Sequence, residues 1–180
     1  MTESLPPPVW VNSPASFQKM LLDVSAQTRV AVDTESNSLH AYRERVCLIQ
    51  ISTRSADYIV DPLTIGDLSP LAPLFADPKI EKVFHAAEYD VMCLKRDYGF
   101  RFYTLFDTMI AARVCGIKQI GLGNLLADLA GVEMDKSHQR DNWGKRPLPQ
   151  ESLAYAQMDT HYLPALRDHL PERLTALNRL

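Results

Sequence analysis

The segment Thr28 to Glu35 (TRVAVDTE) decides how the chain folds. Its apolar first part, residues 28–32, predicts a buried strand that ends at the two acids Asp33 and Glu35. Side chains alternate along a strand, so both carboxylates point to one face and can share a cation. A strand that runs out into a polar loop gives the same pattern, and this alternative stays open.

Two further strands follow at short intervals. Residues 45–52 (RVCLIQIS) are almost wholly apolar, which predicts a central strand covered on both faces, and residues 57–60 (DYIV) predict the next strand. Because the connection over residues 36–44 is short, we expect an antiparallel meander of three strands. Gln50 is polar within its strand and therefore needs a partner, either from the protein or from a substrate.

Helices and strands alternate along the rest of the chain. A strand at residues 9–11 precedes a helix that begins at Ser13 and Pro14 and runs to about Val24. Pro164 should kink or end the last helix. The other predicted strands cover residues 80–84 and 102–106, and the other predicted helices cover 68–75, 88–98, 107–115, 122–130 and 149–163. This order predicts an α/β fold, with a mixed sheet flanked by helices.

Size and composition indicate one ordinary globular domain over residues 1–180, with 46% apolar and 23% charged residues. We expect no membrane partner, because no apolar run approaches the length of a span and the N-terminus lacks the features of a signal peptide. Cys47, Cys93 and Cys115 lie among apolar residues without metal-type spacing. They predict reduced thiols in a cytoplasmic protein, which we expect to be a monomer.

Three more candidate residues lie beside apolar segments. Asp90 falls near the start of a helix, where favourable interaction with the helix N-terminus is the simpler explanation. Tyr155 and Asp159 are one helical turn apart and share a face, although a buried tyrosine beside an exposed acid would look the same. If these acids meet Asp33 and Glu35, their mutual repulsion requires cations, and a pair of divalent ions would create a phosphoryl-transfer site.

A basic stretch contrasts with the net charge of −3, which by itself argues against a nucleic-acid-binding protein. Residues 136–146 (KSHQRDNWGKR) hold four cations and one acid. Trp143 could hold an incoming strand by stacking, or it could pack under a loop. The cations that could contact phosphates are Lys136, Arg140, Lys145 and Arg146.

Together, and in this order, the motifs resemble the DEDD superfamily of 3′→5′ exonucleases. Asp33-x-Glu35 matches its first motif, Asp90 its second, and Tyr155-x-x-x-Asp159 the third motif of the tyrosine-bearing subclass. The likeness is closest to the exonuclease domain of ribonuclease D and its exosome-associated eukaryotic relatives, and it covers residues 8 to 170. Further matching text lies at residues 46–52, 84–86, 105–108, 143–148 and 155–163.

The resemblance implies an RNase H-like fold and two divalent cations, Mg²⁺ or Mn²⁺. Asp33, Glu35 and Asp159 would bind the first ion. Asp33 would bridge to the second, and Asp90 would hold that second site. Tyr155 would orient or deprotonate the attacking water, and nucleoside 5′-monophosphates would be the products.

The resemblance also indicates the substrates. Single-stranded RNA 3′ ends are expected, with tRNA precursors among the candidates and RNA processing or turnover as the role. Glu35 would contact the terminal 3′-hydroxyl, and His85 is a core histidine, a phosphate-facing donor, or both. A proofreading-type DNA exonuclease and a catalytically silent nucleic-acid-binding module are the alternatives. We expect no C-terminal helical nucleic-acid-binding domain, although ribonuclease D carries one.

Overall fold

The computed structural model describes residues 5–176, and a six-stranded sheet lies at its centre in the order β1-β4-β3-β2-β5-β6. The strands are β1 Val9–Val11, β2 Arg29–Ser36, β3 Val46–Ser52, β4 Asp57–Val60, β5 Glu81–Phe84 and β6 Leu105–Asp107. The helices are α1 Pro14–Ser25, α2 Pro62–Ile65, α3 Ala72–Ala76, α4 Glu88–Tyr98, α5 Thr108–Val114, α6 Leu122–Ala130, α7 Gln150–His161 and α8 Leu163–Ala176.

The sheet combines antiparallel and parallel pairs. Strand β3 pairs antiparallel with both β2 and β4, so the predicted meander is confirmed. Strand β1 joins β4 in parallel, and β5 and β6 continue the sheet in parallel beyond β2. Every residue of β3 is buried, as a central strand requires. The predicted α/β fold with a mixed sheet is therefore confirmed.

The predicted end of the second strand at Val32 is wrong. Strand β2 continues to Ser36, because β3 pairs with its polar second half as well as with its apolar first half. Asp33 lies opposite Gln50 and Glu35 lies opposite Leu48, and the register shifts only after Glu35. Both carboxylates are thus held by a ladder of backbone hydrogen bonds.

Two other predicted elements, a helix and a strand, are shorter in the structure than the sequence indicates. The helix predicted at residues 68–75 is a 3₁₀ turn, Ser69–Leu71, followed by the short α3, since Pro73 cannot donate a backbone hydrogen bond. The strand predicted at residues 102–106 begins only at Leu105. Thr104 before it has a φ of 54°, which strand geometry does not allow.

The helix predicted at residues 149–163 is α7, and a further helix follows it directly. Helix α7 ends at His161, before Pro164 as predicted, and α8 then begins at Leu163. The sequence analysis missed α8, which carries a proline, Pro171, inside it. Local pattern failed there because α8 is stabilised by packing: Leu166 and Leu170 are buried against the sheet side that also holds α5 and α6.

The two faces of the sheet bury different helices. Val30 and Val32 belong to one core cluster with residues of α1, α3 and α4. Ala31, between them, belongs to a second cluster with residues of α5, α6 and α8. This alternation assigns the faces further along β2, where Asp33 and Glu35 share the side of Ala31 and Thr34 takes the other.

Candidate active site

Three carboxylates converge where β2 meets α7. Asp33 and Glu35 project from one face of β2, and Asp159 reaches them from the last turns of α7. One oxygen from each side chain can be chosen so that all three lie within 4.8 Å of one another. Three hard oxygen donors at this spacing fit a divalent cation such as Mg²⁺ or Mn²⁺.

Asp90 approaches the same place from α4. It lies in the first turn of that helix and is buried. Thr34, between the two acids of β2 but on the opposite face, donates a hydrogen bond of 2.6 Å from its hydroxyl to Asp90 Oδ1. The sequence analysis missed this positioning role, because alternation along a strand places Thr34 opposite the two acids but does not show which helix covers that face.

The four acids have raised pKa values, because they are buried and close to one another. Burial raises the pKa of Asp33 and of Glu35 well above their usual values, and the charges of Asp90 and Asp159 raise them further. Burial and then Asp90 raise the pKa of Asp159 to about 7. Burial also raises the pKa of Asp90 to about 6, although the hydrogen bond from Thr34 acts in the opposite direction. A bound cation would remove this repulsion.

Helix α7 is fastened to the sheet on both sides of Asp159. Asp57 Oδ2 accepts hydrogen bonds from Gln157 Nε2 at 2.7 Å and from His161 Nδ1 at 2.8 Å. The hydroxyls of Ser52 and Thr160 are 2.7 Å apart and hydrogen bonded. These contacts fix the rotation and height of the helix, and so the direction in which Asp159 points.

Asp33, Glu35 and Asp159 form the floor of an open cleft of about 450 Å³, which Asp90 does not line. Its walls come from the β2–β3 loop, the start of α6 and the segment before α7. The wall residues are Ser38, Leu39, His40, Gly121, Leu122, Gly123, Met134, Lys136 and Gln139. The end of a single nucleic-acid strand could therefore enter between these walls and reach the acids.

The sequence profile described as 3′-5′ exonuclease matches residues 8–175. The chain belongs to this exonuclease family. The exosome complex exonuclease RRP6 of Saccharomyces cerevisiae is 38% identical over 174 residues, which are 96% of this chain and 24% of that protein. The expected likeness to the exosome-associated relatives is confirmed, and the chain spans about a quarter of this one.

Solved structures agree with this assignment. Escherichia coli RNase D superposes with a TM-score of 0.89 at 30% identity, over 96% of this chain and 46% of that one. Brucella melitensis NrnC with bound Mg²⁺ superposes with a TM-score of 0.80 at 28% identity, over 96% of this chain and 83% of that one. None of the helices within residues 5–176 is long and apolar enough to cross a membrane.

Tyr155 lies one helical turn from Asp159 on α7 in this exonuclease domain, and its phenol lowers the pKa of that carboxyl group against the larger effect of burial. Burial and the charge of Asp159 raise the pKa of the phenol, so it stays protonated at neutral pH. Trp143 packs beside it, with ring centroids 6.2 Å apart, and only 2% of Trp143 is exposed. The structure thus places Trp143 in the core, with an edge towards the cleft.

Arg146 is engaged away from the cleft. Its guanidinium makes two hydrogen bonds to the buried carboxylate of Asp61, of 2.7 and 2.8 Å, and a third to the backbone oxygen of Cys47. It also lies over the ring of Trp10. Neither Arg140 nor Lys145 lines the cleft, so of the four cations proposed from the sequence only Lys136 does.

His85 lines the cleft in a defined tautomer. The buried hydroxyl of Thr108 donates to the backbone oxygen of Phe84 at 3.1 Å, so it accepts from His85 Nδ1 at 2.9 Å. Burial lowers the pKa of the imidazole, which is therefore neutral at pH 7. Its Nε2 is then the nitrogen that can accept a hydrogen bond.

Asp107 shapes the turn that leads into α4. It caps α5, accepting from the backbone nitrogens of Met109 and Ile110. The same carboxylate accepts from the backbone nitrogens of Ala86 and Ala87, where Ala86 has a φ of 59°. One side chain thus stabilises a left-handed residue and sets the start of the helix that carries Asp90.

Proposed function

We propose that this protein is a 3′→5′ exoribonuclease that shortens single-stranded RNA and releases nucleoside 5′-monophosphates. The observation that carries the proposal is the meeting of Asp33, Glu35 and Asp159 within 4.8 Å, on the floor of an open cleft and beside a tyrosine. Membership of the exonuclease family supports the reaction. The names of RRP6 and RNase D, an exosome exonuclease and an exoribonuclease involved in structured RNA processing, support RNA as substrate.

Two divalent cations, Mg²⁺ or Mn²⁺, would supply the Lewis acidity that activates water and stabilises the leaving oxygen. Asp33, Glu35 and Asp159 would hold them, with Asp33 shared between both and Asp90 acting on the second. Thr34 keeps Asp90 aimed at this place through its hydrogen bond.

The role proposed for Tyr155 is orientation of the attacking water. Its pKa is raised, so the protonated phenol is a poor base in the structure described. A phenol held on α7 by packing beside Trp143 still offers an oxygen at a constant position. Holding the water in line with the phosphorus atom is the contribution that such a group can make.

The terminal nucleotide would be recognised by Glu35 and His85. Glu35 would accept a hydrogen bond from the 3′-hydroxyl. The neutral His85 offers an acceptor at Nε2, which suits a sugar hydroxyl better than a phosphate. Lys136, at the cleft wall, is the cation placed to meet a phosphate.

The cellular role is proposed at a coarser level. We propose tRNA precursors or other structured RNAs as substrates, since E. coli RNase D is described as acting in structured RNA processing. Buried thiols at Cys47 and Cys93 support a cytoplasmic location. We propose a monomer because all five residues that carry the reaction come from one chain.

Degradation of 5′-labelled single-stranded RNA and DNA tests the function. We expect stepwise shortening of RNA with Mg²⁺ or Mn²⁺, none with a chelator, and none by a variant carrying both Asp33→Asn and Glu35→Gln. RNA with a 3′-phosphate should resist, because an additional dianion would face the acidic floor. Cleavage of a circular RNA would contradict exonuclease action, and faster loss of DNA than of RNA would assign the DNA alternative.

A further inference from the structure

The loop between β2 and β3, residues 37–45, forms one wall of the cleft mouth. Its residues Leu39 and His40 line the cleft. Tyr42 follows two residues later, and its side chain is fully exposed, with a relative exposure of 104%. Two residues of extended chain span at most about 7 Å, so the backbone of Tyr42 lies within about that distance of His40 in the cleft wall.

The loop is closed firmly at its base. Asn37 and Arg45 exchange two hydrogen bonds, from Asn37 N to the Arg45 oxygen at 3.3 Å and from Arg45 N to Asn37 Oδ1 at 2.9 Å. Glu44 accepts one hydrogen bond from Tyr89 and another from Arg96, both on α4. The exposed tyrosine is therefore carried by a fixed support.

The tip of the loop is also tied to the basic segment before α7. His40 Nε2 donates to the backbone oxygen of Arg140 at 3.2 Å. Lys136 of that segment lines the cleft, and Arg43 is exposed next to Tyr42. An exposed aromatic ring thus follows the cleft wall by two residues and has an exposed arginine as its neighbour in the chain.

We propose that Tyr42 is a stacking subsite for an unpaired base of the incoming RNA, upstream of the nucleotide that is removed. This rests on the proposed exonuclease function. A ring exposed on both faces contributes little to folding, and a nucleobase can cover it whatever its sequence. Arg43 beside it is placed to meet the backbone phosphate of the same nucleotide.

Kinetics on two substrates separate this subsite from the catalytic centre. For an RNA of about ten nucleotides, Tyr42→Ala should raise KM roughly 5- to 100-fold, the range of one lost base stack, and leave kcat unchanged. Hydrolysis of a dinucleotide, which is too short to reach Tyr42, should be unaffected. Tyr42→Phe should behave like the wild type because the ring remains. Tyr103→Ala, at an exposed tyrosine away from the cleft, is the matched control.

An unchanged KM for the longer RNA, or an equal effect on the dinucleotide, would overturn the subsite. Fluorescence anisotropy of labelled single-stranded RNA in the presence of a chelator gives a readout that does not depend on cleavage. There, Tyr42→Ala should weaken binding by the same factor. Absence of hydrolysis by the wild type would refute the exonuclease function, whereas loss of the anisotropy difference alone would refute only the stacking role of Tyr42.

Discussion

Replacing Asp159 by asparagine should stabilise the metal-free protein at neutral pH while abolishing its activity. Burial and the charge of Asp90 raise the pKa of Asp159 from 3.8 to about 7. A shift of this size corresponds to roughly 4 kcal/mol of unfavourable free energy once the carboxyl group ionises. Small movements of side chains and entry of water reduce it, so we expect the variant to gain about 1–3 kcal/mol.

The sign of the pH dependence follows from the direction of the shift. A carboxyl group whose pKa is raised on folding is protonated in both states below about pH 4, where it costs nothing. Stability is then lost as the pH rises from about 4 to 7, and the loss is complete above 7. Asparagine does not ionise, so its advantage over Asp159 should be absent near pH 4 and full near pH 8.

Urea unfolding in the presence of a chelator, at about pH 4 and pH 8, measures this difference. The gain should also appear as a rise in Tm of about 2–12 °C at the higher pH. Asp168→Asn is a control of opposite sign. Burial opposes the ionisation of Asp168, but hydrogen bonds from Arg29 and Arg54 lower its pKa overall. Loss of this carboxylate should therefore destabilise the folded protein at pH 8. Two results would refute the reasoning. One is an Asp159→Asn variant that is less stable than the wild type at pH 8, and the other is a gain in stability at pH 4 as large as the gain at pH 8.

Three further outcomes follow from the site. Tyr155→Phe should lower kcat by about 10²-fold, the lower end of contributions from groups that act on a transferred proton, and should leave metal and RNA affinity unchanged. Single-turnover rates would detect this loss, and a wild-type rate would remove the phenol from the mechanism. Lys136→Met should reduce the slope of log affinity against log salt for single-stranded RNA by about 0.7, whereas Lys145→Met, exposed outside the cleft, should leave it unchanged. Arg146→Met should lower the free energy of unfolding by roughly 3–5 kcal/mol in chemical denaturation, because the carboxylate of Asp61, which is 1% exposed, is left without its partner. A loss below about 1 kcal/mol would contradict the structural role of Arg146.

Short-range patterns predicted which candidate residues share a face, because each pair is set by local geometry. The spacing of Asp33 and Glu35 places both on one face of any strand, and the spacing of Tyr155 and Asp159 places both on one face of any helix. The length of β2 was not predictable in the same way. Its polar half is a strand only because a distant partner, β3, pairs with it up to Ser36.

Roles set by distant partners were not visible in the sequence. Arg146 and Trp143 lie in a basic, aromatic stretch that is typical of nucleic-acid contacts. The partner of Arg146, Asp61, stands 85 positions earlier and is buried, and Trp143 is covered by Tyr155 from α7. The loop that carries Tyr42 attracted no prediction, because exposure beside a cleft wall is a property of the folded chain alone.

The position of Asp159 explains why repulsion among the acids persists in the folded protein. A helix carrying an unfavourable charge could tilt or slide away from it. Here the hydrogen bonds of Gln157 on one side of Asp159, and of Thr160 and His161 on the other, fasten α7 to the ends of β3 and β4. On the facing side, β3 holds Asp33 in its ladder. Neither carboxylate can retreat, so the repulsion is relieved only by protonation or by a cation. The fold thus holds the acids together at the expense of its own stability, and a divalent cation is the partner that we propose to relieve their repulsion.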